Sequence, residues 1–86
     1  MARAKMRTMT EESRKRVGDN IRERMAVLGL TQTGIERAVG IRQSVVSKYV
    51  TGSVDMRLSA LIVMCNVLEC TPNDLLDGAY GERSDG

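Results

Sequence analysis

Four glycines punctuate this chain, and each closes a stretch in which apolar residues recur every three or four positions. Gly29 follows Val17, Ile21, Met25 and Leu28; Gly40 follows Ile35 and Val39; Gly52 follows Val45, Val46, Tyr49 and Val50; Gly78 follows Leu75 and Leu76. A further stripe, Leu58, Leu61, Ile62, Cys65 and Leu68, fills the space before Pro72. Such spacing puts the apolar side chains on one face of a helix, and glycine is the residue that most readily closes one. The β-branched residues between 45 and 50 locally favour strand, but their three- or four-residue spacing favours helix. Thr8 with Glu11, or Thr10 alone, caps the first helix, Thr31 caps the second, and Pro72 suits the first turn of the last. The expected fold is all-α: a compact bundle of about five helices with short loops and no internal repeat.

Eighty-six residues have room for one core. They are expected to divide into a flexible basic arm over 1–9, a helical domain over 10–78 and a frayed tail over 79–86. Histidine, tryptophan and phenylalanine are absent and tyrosine occurs twice. No histidine means no imidazole general base, no Ser-His-Asp or Cys-His nucleophile and no histidine-containing zinc site. So few aromatics make recognition of stacked single-stranded bases a poor fit. Neither a phosphate-cradling glycine motif nor a metal-ligand cluster stands out, so the expectation is a protein that is no enzyme and holds no cofactor or metal. Cys65 lies on an apolar stripe and reads as a reduced core thiol, with the cytoplasm as its compartment. No apolar run reaches the ~18 residues of a membrane span, and no signal-peptide segment follows the basic start.

The formal net charge of +2 hides a division along the chain. The first 52 residues carry +6 and the last 34 carry −4. This polarity suits a protein that turns one face to phosphates, although a solvated surface with a basic tail would also produce it.

The run from Thr31 to Gly52, TQTGIERAVGIRQSVVSKYVTG, resembles the helix-turn-helix of the phage-repressor and Cro-like (XRE) family. The likeness continues through Leu58, Leu61, Ile62, Leu68, Thr71, Asn73, Asp74, Leu75 and Leu76, covering roughly residues 17–77. It implies a lambda-repressor-like fold in which helices 2 and 3 form the helix-turn-helix, Gly40 makes the turn, and Ile35, Ile41 and Val46 lock the angle. The helix around 42–51 would then enter the major groove of double-stranded DNA. Gln43, Ser44, Ser47 and Lys48 would read bases, with Gln43 leading because its amide matches N7 and N6 of adenine. Gln32, Thr33, Arg42, Thr51 and Arg57 would contact phosphates, and Gln32 would brace Gln43.

Three departures from the family pattern carry expectations. Glu36 stands where a small alanine is usual, so it splays outward, widening the crossing or pairing with Arg37 or Lys48. Arg42 replaces a serine N-cap, leaving helix-3 amides to find another partner such as a DNA phosphate. Met25 and Val50 replace an arginine–glutamate pair and are expected to pack together directly.

The resemblance implies a sequence-specific transcriptional regulator, most simply a repressor that binds as a homodimer to a two-fold operator. Met56, Leu76, Ala79 and Tyr80 are the candidate dimer contacts. The alternative is a protein-interaction module such as an antitoxin or antirepressor, using Val63, Met64 and Val67 to grip a protein partner.

Overall fold

The computed structural model describes residues 10–79, so the basic arm, the Thr8 cap and Tyr80 fall outside the described residues. Five helices occupy them: α1 (Glu11–Leu28), α2 (Gln32–Val39), α3 (Gln43–Thr51), α4 (Leu58–Leu68) and α5 (Pro72–Leu76). No strand occurs among the described residues, and the fold is all-α as expected.

Threonine hydroxyls start three of the helices. Thr10 Oγ1 accepts from Ser13 N–H at 3.0 Å, Thr31 Oγ1 from Gly34 N–H at 2.9 Å, and Thr71 Oγ1 from Asp74 N–H at 3.2 Å. Asp74 returns the bond, its Oδ2 accepting from Thr71 N–H at 2.9 Å. This capping box satisfies two amides that helix geometry leaves orphaned. The backbone and side-chain hydrogen bonds from Thr71 hold the Asp74 carboxyl below the usual range.

Helices α1, α2 and α3 end at Gly29, Gly40 and Gly52, all left-handed. The end of α4 repeats the geometry without glycine: Glu69 sits at φ 53°. There Cys70 N–H donates to Cys65 O at 3.0 Å and Glu69 N–H to Asn66 O at 3.3 Å. These two bonds make a Schellman motif, and Cys65 and Cys70 are its usual apolar pair. Both cysteines are free, and burial pushes the Cys65 thiol up to about 11. A Cβ in the left-handed region costs ~1–2 kcal/mol, partly offset by the greater freedom glycine has when unfolded. Glu69→Gly is therefore expected to stabilise the domain by ~0.5–1 kcal/mol, read as a higher urea midpoint at unchanged slope.

Val17, Ile21, Met25, Ile35, Val46, Tyr49, Val50, Met64, Cys65, Leu68, Leu75 and Ala79 form one buried cluster. Met25 and Val50 both lie in it, as their apolar character implied. Ile41, in the α2–α3 turn, packs against it.

The face of α4 differs from the expectation. Met64 is fully buried and Val67 packs against the core, so neither belongs to an exposed docking face, while Val63 is half-buried. Leu58 and Ile62, placed inward by the stripe, are 71% and 51% exposed. This helix is apolar almost all round, and periodicity cannot select a face when every face is apolar. Ala79 is likewise buried, so it is part of the core and neither a frayed residue nor a surface contact. Leu76 and Met56 are half-buried against the same core. Among the described residues, no helix is long and apolar enough to cross a membrane.

Candidate nucleic-acid interface

The placement of α3 depends on α1, which packs along it and reaches three other helix ends. Arg14 Nε donates to Gly52 O at 2.8 Å, past the end of α3, and its guanidinium lies 3.7 Å from Asp55. Asn20 Nδ2 donates to Leu75 O and Asp77 O at 2.8 and 2.9 Å, closing α5, and Arg16 Nε adds a bond to Asp77 O at 3.2 Å. Arg24 donates to Leu68 O at 2.9 and 3.1 Å and to Glu69 O at 3.1 Å, closing α4. Cations favour the carbonyl ends of helices, where the aligned peptide dipoles leave partial negative charge. Arg14, Arg16 and Arg24 therefore act inside the fold. The positive excess near the N-terminus is in good part structural, which qualifies the reading of it as a phosphate-facing charge.

Held this way, α3 divides into two faces. Val46, Tyr49 and Val50 are buried, and Val45 packs at the margin. Gln43, Ser44 and Lys48 are exposed on the other side, with Ser47 half-buried between them. Their spacing at i, i+1, i+4 and i+5 gathers them on one surface. Of the flanking residues, Thr33, Arg42, Thr51 and Arg57 are exposed and Gln32 is half-buried. Arg57 is the N-cap residue of α4 but makes no side-chain cap bond, and Arg42 stands in the same relation to α3.

The start of α3 departs from expectation in two ways. Gln43 N–H donates to Glu36 Oε1 at 3.1 Å, so the carboxylate of α2 replaces the missing N-cap of α3. Glu36 thus turns toward the helix-3 amides; among the described residues it forms no ion pair with Arg37 or Lys48. The brace on the Gln43 side chain comes from Thr33, whose Oγ1 donates to Gln43 Oε1 at 3.3 Å; the resemblance gave that role to Gln32. The serine cap missing at Arg42 was visible in the sequence. That Glu36, seven residues back on another helix, replaces it follows only from the α2–α3 angle.

Two helices at a tight turn, the second buried on one face and polar on the other, define a helix-turn-helix. The chain belongs to the family described as the Cro/C1-type HTH DNA-binding domain, whose model matches residues 20–77. Among solved structures it is similar to the P22 c2 repressor protein in complex with synthetic operator 9T, at 26% identity and TM-score 0.67 over 72% of this chain and 94% of that one. The fold is shared with the restriction-modification controller protein C.AhdI from Aeromonas hydrophila, at 22% identity and TM-score 0.68 over 72% and 94% of the two chains. It is shared also with the clp gene regulator ClgR from C. glutamicum, at 23% identity and TM-score 0.71 over 80% and 90%. No curated protein matches the chain in sequence. Among the described residues, no group of three or more His, Cys, Asp or Glu side chains gathers to hold a metal ion.

Proposed function

We propose that this protein is a sequence-specific transcriptional regulator, a repressor that binds double-stranded DNA as a homodimer with α3 in the major groove. The observation that carries the reading is the row of exposed Gln43, Ser44 and Lys48, with half-buried Ser47 between them, on a helix whose opposite face is anchored in the core. Gln43 and Lys48 carry side chains long enough for base edges, and Ser44 and Ser47 supply shorter contacts. Gln32, Arg42, Thr51 and Arg57 flank the row and meet phosphates, fixing register. A lone helix of this length reads only a few base pairs, so a second copy is required for a useful site. The exposed apolar side chains Val54, Leu58 and Ile62, which follow α3 in the chain, supply the contact between copies.

Selection from random duplexes is expected to recover two inverted half-sites about 34 Å apart, bound by two chains. Against the selected duplex, Gln43→Ala is expected to lose ~1–3 kcal/mol of discrimination at one base pair per half-site. A uniform loss of affinity for every duplex would remove Gln43 from base reading. Failure to bind any duplex at low salt, with a protein retained at high salt, would favour the interaction-module reading.

A further inference from the structure

Gln43 is held from α2 at two points, by the Thr33 hydroxyl on its side-chain oxygen at 3.3 Å and by the Glu36 carboxylate on its backbone N–H at 3.1 Å. Thr33 and Glu36 are three residues apart on α2, which puts them on one face of it a single turn apart. The geometry points to Thr33 as the positioning residue that sets which base edge Gln43 reads, with Glu36 fixing the backbone beneath it; this rests on the base-reading role proposed for Gln43.

A free glutamine side chain has three rotatable bonds and loses that freedom when it settles on a base edge. The Thr33 hydroxyl removes part of the freedom beforehand. It uses one of the two lone pairs on Oε1 and leaves the other, together with both Nε2–H donors, free to face the groove. An amide so fixed presents an acceptor and a donor side by side, the pattern that matches N6 and N7 of adenine. Glu36 adds a second constraint. Its carboxylate occupies the first amide of α3, where a DNA phosphate would otherwise be attracted by the helix dipole. The negative charge there discourages a phosphate, and the start of α3 is left to base edges. Thr33 consequently belongs with specificity rather than with the phosphate contacts among which the sequence placed it.

The test compares the full-length parent with Thr33→Val, which keeps the shape and removes the hydroxyl, and Thr33→Ser, which keeps the hydroxyl. Affinities are measured by fluorescence anisotropy for the selected duplex, for the same duplex changed at the base pair that Gln43→Ala identifies, and for an unrelated duplex. Thr33→Val is expected to lose roughly three- to tenfold in discrimination at that base pair, the range one hydrogen bond supplies, with its melting temperature and salt slope unchanged. Thr33→Ser is expected to retain the parent's preference, and in a Gln43→Ala background Thr33→Val is expected to add nothing. An equal loss on all three duplexes would make Thr33 a phosphate contact and overturn the proposal, leaving Gln43 as a base reader. If Gln43→Ala alters discrimination at no position, the base-reading role fails and the proposal falls with it.

Discussion

A Gly18→Ala variant is expected to lose about 3 kcal/mol or more of stability, at the upper end of what overpacking does to a well-filled core. Gly18 lies mid-way along α1 and is buried. A Cβ built on it would run into the Val50 carbonyl and come within 2.9 Å of Tyr49 O. Both obstacles are backbone of the last turn of α3. A side chain could rotate away, but a helix backbone yields only if the whole helix moves. Intrinsic propensity argues the opposite sign, because alanine in an exposed helix interior is ~1 kcal/mol better than glycine. The two effects are therefore separable by one urea titration: a higher midpoint for Gly18→Ala would show that α1 and α3 are not in backbone contact. Because α3 carries Gln43 and Lys48, any fraction that remains folded is expected to bind the selected duplex more weakly as well.

Much of this architecture was legible in the residues, and the reasons for the exceptions are local. Thr10, Thr31 and Thr71 initiate helices through bonds that span three residues, and Gly29, Gly40 and Gly52 terminate them. Such signals are contained in short windows, so the sequence displays them directly. The helix-turn-helix is a longer pattern but still contiguous. What escaped depends on pairs distant in the chain. Gly18 is one residue in an ordinary amphipathic helix until α3 is laid across it. Arg24 and Asn20 look like solvated polar residues until the ends of α4 and α5 arrive at their side chains. The inward face of α4 was unreadable for another reason, since a helix apolar on all sides carries no directional information and only its neighbours orient it. At the candidate site, the exposed row of α3 followed from periodicity, whereas the hold of Thr33 and Glu36 on Gln43 required the angle between two helices.

Val50→Glu is expected to be comparably damaging, by ~3–5 kcal/mol, because it puts a carboxylate into the apolar cluster that Val50 helps to form. Val50 is 7% exposed and shares its cluster with Met25 at 9%. Domains of this size are stable by roughly 0.05–0.15 kcal/mol per residue, so such a loss removes much of the total. A buried carboxyl has its pKa raised above the unfolded value, so the folded state binds more protons and stability falls as pH rises through the folded-state value. The single variant is thus expected to regain stability on acidification towards pH ~4. Adding Met25→Arg restores the arginine–glutamate pair that the family resemblance places at these two positions. The pair lowers the carboxyl pKa and reverses that pH trend, and a double-mutant cycle by urea denaturation is expected to give a favourable coupling of ~2 kcal/mol. Additivity within ~0.5 kcal/mol would show that the two side chains do not meet. Replacing a buried ion pair on both sides by packed hydrophobes is commonly neutral or stabilising, so the parent, with Met25 and Val50 both in its buried cluster, is expected to be at least as stable as the charged double variant.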